Sequence, residues 1–589
     1  MSIHWLKNLP FNFSRKQANE NLSTVNPSWL INWGEVNDLN QNVTWRDEKI
    51  TIFHVQPIIS PSQRFVVVGD VVLLNRTQLC QQWQLNLQNF KRDQELVAHL
   101  LDCYPNEIDI LSLASQLTGM FEMAIWDRQQ QNLWLIRDPV GARTLYYTLT
   151  SPTVWIAPRL KMLLPYHSKQ LDLIALRDYL SCAFVPGERT LWKQVRELRP
   201  GTILKFSQAF DSPQVLTYWQ PQAASEYQEQ SLEEYAQKLR LLLNQVVQES
   251  LPTDSPVGIY LSGGIDSSCI VALASQFHHH PVHTYSIHFG ADYPNELEFS
   301  SLVAEHCQTQ HHILEITPDE LWEKLPVTLS YLDDPIGDPL TVPNYLIGQL
   351  AQQTVGTILN GEGGDPCFGG PKNKPMLLNQ LYGNFTSSSN NLLSAYFQSF
   401  KKCFLDLPDL FKPEVWHKIQ NTASVFETDL YADFDYLNRL MLLNIKFKGA
   451  DHILTKVNNL TNAAGIQGYS PLFDRRIVEL SLETPPEYKL SGANEKAVLK
   501  KAVEDLLPSI IINRPKSGMM VPVGYWFRHR WKRYAQALLL NKKAEIAPYI
   551  NQEIIREWLN YRGDKQNRYG VKLWLLSSLE MWLQVNRKP

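Results

Sequence analysis

The chain has no CxxC pair, no signal-like start and no apolar run long enough to cross a bilayer. Its seven cysteines (Cys80, Cys103, Cys182, Cys269, Cys307, Cys367 and Cys403) are odd in number and widely spaced. That excludes a zinc ribbon and a disulfide framework, and predicts a reducing, cytoplasmic setting. The opening MSIHWLKNLPFNF has neither an apolar core nor a small-residue cleavage site, so it does not read as a signal peptide. The most apolar early stretch, Phe65 to Leu74, is cut by Gly69-Asp70, well short of the ~20 residues of a membrane span. Positive charge is not in excess either: 55 Lys+Arg against 59 Asp+Glu give −4. Without a basic field nothing recommends nucleic acid as a partner, and no membrane partner is expected. No internal repeat and no long low-complexity tract interrupts the chain.

What is present is a globular composition, 44% hydrophobic and 19% charged over 589 residues, enough for about three to five domains or two large ones. Residues 1–210 read as strand-rich. Phe65–Val68, Val71–Leu74, Leu133–Ile136 and Leu145–Tyr147 are short apolar runs, with a helical window at Glu95–Leu101. This predicts an α+β arrangement of stacked antiparallel sheets with helices. A polar linker is expected over 211–230. From 231 to 589 the pattern changes: strands at Val257–Leu261, Val282–Phe289, His312–Ile316 and Val355–Leu359 alternate with helical windows at Ser267–Phe277, Glu296–His306 and Val342–Gln353. Such alternation predicts an α/β domain with a parallel sheet. Beyond Gly370 strands are expected to stop, leaving an aromatic-rich segment at 371–430 and a helical C-terminal part. The histidines His278, His279, His280, His283 and His288 straddle a helix end and a strand, and read as solvated turn residues.

The sharpest motif is Leu261-Ser262-Gly263-Gly264-Ile265-Asp266-Ser267-Ser268. It leaves a strand and opens a helix. Two glycines let the backbone approach an anion, and the helix N-terminus supplies free N–H donors and the positive end of its dipole. Asp266 suits such a nest when Mg²⁺ lies between it and the phosphates. A bare Gly-Gly turn with a serine cap would explain less of this string.

The string resembles the pyrophosphate-binding loop of the ATP pyrophosphatases, and within them the chain resembles the asparagine synthetase family. His311-His312, Asp333-Asp334-Pro335-Ile336, Asp338-Pro339, Asn360-Gly361-Glu362-Gly363-Gly364-Asp365, Phe368-Gly369-Gly370, Pro471-Leu472-Phe473-Asp474 and Arg514-Pro515-Lys516 follow in that family's order. Upstream, Gly119-Met120-Phe121, Trp126-Asp127, Arg137-Asp138-Pro139-Val140-Gly141 and Leu145-Tyr146-Tyr147 resemble its glutaminase domain. The resemblance implies an Ntn-hydrolase-like αββα sandwich over 1–210 and an ATP-pyrophosphatase domain over 231–589. It implies ATP and Mg²⁺ as cofactors, with nucleotide contacts from Leu261, Ser262, Gly263, Gly264, Asp266, Ser267, Ser268, Ile287, Asn360 and Gly361. Asp266 and Asp334 would hold the metal. Glu362, Lys516 and Tyr331 would carry the chemistry. Tyr331 and Glu362 form a base dyad by likeness to β-lactam synthetases, and Lys516 meets developing charge as a compact ammonium.

Three departures redirect the expected function. The family's cysteine nucleophile and its Asn-Gly pair correspond to Ser2 and to Val68-Gly69, which argues against glutamine hydrolysis. Asp93 still matches the glutamine-amine ligand, although a helix start explains it as well. Gln467-Gly468-Tyr469 replaces the family's Glu-x-Arg before Pro471, which argues against recognition of free aspartate. Relatives that lost the cysteine join an acyl-adenylate to an amine already in the substrate. The chain therefore reads as a lasso-type peptide cyclase, adenylating an Asp or Glu side chain and joining it to a peptide N-terminal amine. Its partners would be a peptide or amino-acid carboxylate substrate, and a precursor peptide with a leader-binding protein and a protease. The alternatives are an asparagine synthetase using glutamine or free ammonia, and an ATP-binding scaffold without activity.

Overall fold

The structure is a computed structural model describing residues 28–34, 43–103, 107–150, 153–207, 212–224, 227–370, 376, 390–433, 435–491, 494–515 and 518–587. Ser2, Tyr382, Phe385, Lys516 and Ser517 lie outside these residues.

Two six-stranded antiparallel sheets stack in the N-terminal unit. One runs, edge to edge, Val195–Glu197, Tyr146–Thr150, Thr153–Ala157, Leu30–Trp33, Ile50–Phe53 and Val43–Arg46. The other runs Gln214–Thr217, Thr202–Phe206, Asn132–Arg137, Gly119–Asp127, Phe65–Leu73 and Ile58–Ile59. Both faces of the central strands are buried, so they read as continuous apolar runs. Val66 and Val68 join Trp33, Leu133 and Leu135 between the sheets. Val67, Val71 and Leu73 face the other way, onto the helices Asp93–Leu101 and Glu107–Gln116. The first sheet is covered by the helix Leu173–Cys182 and by the second unit, in a core that runs from Trp155 and Leu176 to Leu325 and Trp582. The layers are αββα, as expected.

Two boundaries differ from the sequence expectation. Phe65–Val68 and Val71–Leu74 are one strand, because Gly69 continues it: a Cβ there would lie 2.2 Å from the Glu122 carbonyl oxygen of the adjacent strand. Gln214–Thr217 pairs with Thr202–Lys205, which carries the second of these sheets into the stretch read as linker.

The second unit has a five-stranded parallel sheet in the order Gln310–Glu315, Val282–His288, Val257–Tyr260, Thr357–Leu359, Gln467–Tyr469. The last strand lies beyond Gly370, where none was expected. It is three residues long with a central glycine and has no β-branched run, so only its partner Thr357–Leu359 makes it a strand. The order reverses direction between Val257–Tyr260 and Thr357–Leu359, and crevices at such switch points receive ligands. A helix that starts at Tyr436, widens to π-type turns over Asn444–Leu454 and returns to α over Thr455–Ala463 leads into the fifth strand. Wide turns of this kind recur at functional sites. Tyr396, Phe397 and Phe426 of the aromatic segment pack on one another and with Phe184 and Phe447 in a small core (Tyr396 on Phe426 at 5.1 Å, Phe397 on Phe404 at 4.8 Å), while Phe411 joins the large core. His283 does not lie at a solvated turn: it sits on the second strand, its Nδ1 3.0 Å from His312 Nε2.

Candidate active site

The two loops that leave the switch-point strands meet. Ser262–Gly264 leads into the helix Ile265–Phe277, and Asn360–Gly363 into the short helix Gly364–Phe368. Gly361 has no room for a side chain, since a Cβ would lie 2.5 Å from Ser267 N. Gly263 adopts φ +72°, a left-handed conformation that suits glycine. The Ser262 and Ser267 hydroxyls lie 3.2 Å apart, and Ser267 Oγ donates to Gly264 O at 3.3 Å. Leu261 N donates to Tyr285 O and Ser286 Oγ to Leu261 O. Leu261 and Ile287 therefore sit side by side at the carboxyl ends of neighbouring strands.

A buried lysine closes this crevice. Lys496 Nζ lies 2.6 Å from Asp266 Oδ2 and 2.5 Å from Asp365 Oδ1, with its side chain 1% exposed. Arg514 Nη1 donates to Gly263 O at 3.1 Å, and its Nη2 to Glu296 at 2.6 Å. Lys496, Lys500 and Arg514 line a small cleft with Gly264 and Ile265. Three cations at a glycine loop and a helix N-terminus, against the one carboxylate of Glu495 on the same cleft, can seat an anion.

Beside it lies a second cluster. Glu362 N donates to Asn360 Oδ1 at 3.0 Å, and Asn360 Nδ2 donates to Tyr469 O. Lys456 Nζ donates to Asp338 Oδ2 at 2.6 Å while 4% exposed. Burial works to deprotonate Lys456, but the Asp338 and Glu362 carboxylates outweigh it and raise its pKa. Asp338 is held well below the usual carboxylate range against burial by Lys456 and His452. His452 is pushed down to about 4, mainly by burial.

The asparagine synthase family matches residues 238–584 and the glutamine amidotransferase domain matches 50–219. The chain belongs to the asparagine synthase family. It is 25% identical over 566 residues to asparagine synthetase [glutamine-hydrolyzing] 1 of Bacillus subtilis, covering 90% of this chain and 87% of that one. It is 27% identical over 460 residues to a putative asparagine synthetase [glutamine-hydrolyzing] of Mycobacterium bovis, covering 70% and 68%. Among solved structures, glutamine phosphoribosylpyrophosphate amidotransferase from B. subtilis, complexed with ADP and GMP, matches at 12% identity and TM-score 0.24, over 64% of this chain and 88% of that chain.

As an asparagine synthase family member the protein is an ATP-dependent carbon–nitrogen ligase, and the geometry sorts its expected site residues. Asp266, the serines, Asn360, Gly361 and Glu362 converge at the switch point. Asp334 is turned elsewhere: its carboxylate accepts from Leu191 N at 2.8 Å, and burial raises its pKa. Asp333 beside it binds Arg159, Leu160 N and Asn459, so this acidic loop fastens the two units together. Tyr331 packs against Tyr345 with the rings tilted by 32° and their centroids 5.4 Å apart. Burial, then the Tyr331 hydroxyl, raises the Tyr345 pKa. Tyr331 is thus paired with a tyrosine, not with Glu362.

Sequence reading missed Lys496, Asp365 as its partner, and Lys456. The signal for the first was Glu495-Lys496 ahead of the helical run Ala497–Ala502. Among the described residues no group of three or more His, Cys, Asp or Glu is placed to hold a metal ion. Mg²⁺ that arrives on phosphates needs only one or two carboxylates. Asp266 and Asp365 fit that role, because they already converge on one cation, the Lys496 ammonium. A magnesium ion there would neutralise phosphate charge.

Proposed function

We propose that this ligase adenylates a carboxylate of a peptide substrate and joins it to an amine that the substrate itself carries, as in the lasso-type cyclases. The observation that carries this reading is the state of the glutaminase pocket. Asp93, the residue that would receive the glutamine amine, accepts from Leu73 N at 2.7 Å, and its Oδ1 lies 3.3 Å from Arg76 Nη1. Val68, in place of the family's asparagine, is 3% exposed between the sheets. The head of the first described strand is occupied by Trp29, whose indole donates to Glu122. A nitrogen source outside this domain is the simplest supply.

The second unit offers the remaining parts. The anion seat takes the ATP phosphates. Glu362 accepts a proton from the attacking amine, and Lys456 steadies the carboxylate side of the reaction. A cleft of about 570 Å³ between the units is walled by Gly187–Arg189, Val425 and Phe447, large enough for a peptide segment. The wide-turned helix that lines it continues to Lys456. Synthesis of asparagine from free ammonia is the second reading, favoured by the names of the relatives that span most of the chain. The test is mass spectrometry of candidate precursor peptides incubated with the protein and Mg-ATP. Loss of one water from a peptide, with AMP and pyrophosphate released, is expected. Formation of asparagine from aspartate and ammonium, with no change in any peptide, overturns the proposal.

A further inference from the structure

The short helix Pro486–Lys489 ends on a lysine that is 0% exposed. Lysine is almost never buried to that extent without a carboxylate opposite it. The buried lysines Lys456, Lys496 and Lys572 follow this rule, on Asp338, on Asp266 and Asp365, and on Asp406 and Asp564. Lys489 does not. Its Nζ donates to Asn438 Oδ1 at 2.7 Å and to Ser481 O at 2.6 Å, both uncharged acceptors. Burial pushes its pKa down to about 7, against the opposing pull of Asp435, Cys367 and Glu487. Two acceptors match the two hydrogens of a neutral amine, so this side chain serves as a hydrogen-bonding anchor more than as a charge.

Both acceptors lie on helices that frame the site. Asn438, fully buried, belongs to the helix that begins at Tyr436 and continues through the wide turns to Lys456. Ser481 belongs to the helix Arg475–Glu483. From Lys489 the chain enters a two-stranded ribbon, Leu490–Ser491 against Asn494–Glu495. As it returns, Lys496 N donates to Lys489 O at 2.6 Å. Lys496 stands there at φ +56°, in the left-handed region that residues other than glycine seldom adopt. Such a conformation persists only where the surroundings impose it. Here the Lys489 carbonyl holds the Lys496 backbone at one end, and Asp266 and Asp365 hold its Nζ at the other.

We propose that Lys489 is a positioning residue for the ATP-dependent step: its side chain anchors the root of the ribbon to two helices, and its carbonyl sets the backbone from which Lys496 reaches Asp266 and Asp365. Its atoms face Asn438, Ser481 and Lys496, and no bond is made or broken on it. The role belongs to the ATP-dependent half of the reaction and is the same whichever amine attacks.

Lys489→Met fills the same space and removes both hydrogens, leaving Asn438 Oδ1 and Ser481 O unpaired. Two measurements on the full-length variant separate positioning from a loss of stability, each taken where circular dichroism shows the chain folded. The first is calorimetric affinity for Mg²⁺ with α,β-methylene-ATP, whose α–β bridge does not break. It should weaken about tenfold or more. The second is acetylation by an N-hydroxysuccinimide ester, read by peptide mass mapping. Lys496, 1% exposed in the parent, should react several-fold faster in the variant, while Lys572, buried against Asp406 and Asp564, keeps its rate. If Lys489→Met does not fold, Asn438→Leu, which removes one of the two acceptors, decides on the same measurements. A folded variant that binds the nucleotide as the parent does overturns the proposal, and so does one in which Lys496 stays as protected as before. Equal acceleration at Lys572 would mean a general loosening of the chain and overturns it too.

Discussion

Lys496 Nζ lies 2.6 Å from Asp266 Oδ2, although the two residues are 230 positions apart in sequence. The same ammonium reaches Asp365, so one buried cation ties the phosphate loop, the Glu362 loop and the start of the helix Ala497–Ala502 into one frame.

Removal of that cation should therefore be costly twice over. Lys496→Met leaves two facing carboxylates in a crevice, and loss of one partner of a buried pair costs about 3–5 kcal/mol. Urea unfolding should show destabilisation of that order, and AMP release should disappear. Added Mg²⁺ should recover part of the stability, because a dication can replace the ammonium between Asp266 and Asp365. A variant as stable as the parent would mean that the frame is held by other contacts.

Glu362 is expected to act after ATP binds. Glu362→Gln keeps the loop's hydrogen bond to Asn360, which uses the backbone N–H. ATP affinity should stay within a few-fold, while amide formation falls about 10²–10⁴-fold, the range for a missing general base. Equal losses in ATP binding and turnover, read from titration and single-turnover rates, would assign Glu362 to the nucleotide instead.

Stability should carry the signature of Glu122. Its carboxyl is raised in the folded state above the ordinary 4.5, so the folded chain holds a proton that the unfolded chain releases. The stability this lends is complete below pH 4.5 and is lost as pH rises through the raised value. Asp70, Arg143 and Trp29 face the group and remain in both proteins. Glu122→Gln should therefore match the parent near pH 4 and exceed it increasingly at higher pH, measured by denaturant midpoints. Parallel profiles across pH 4–8 would show that Glu122 does not titrate in that way.

Glutamine should not be consumed. With Asp93 paired to Arg76 and Val68 buried between the sheets, incubation with glutamine and Mg-ATP should release no glutamate. Steady release that Ser2→Ala abolishes would restore a working glutaminase domain.

The sequence by itself determined the two-unit order, the four strands of the parallel sheet that carry their own β-branched residues, and the glycine loop at Ser262–Ser268. These are local: strand period, helix start and backbone freedom are set by neighbours in the chain. The tertiary structure decided the rest. Gln467–Tyr469 is a strand only because Thr357–Leu359 offers it an edge. Asp334 was read as a metal ligand from its motif, yet its carboxylate turns to Leu191 across the unit boundary. Lys496 and Lys456 stand in no motif of the sequence, and folding alone buries them against Asp266 and Asp338. A carboxylate's or an ammonium's role is fixed by what lies opposite it at a few ångströms, and here those partners come from more than 100 residues away.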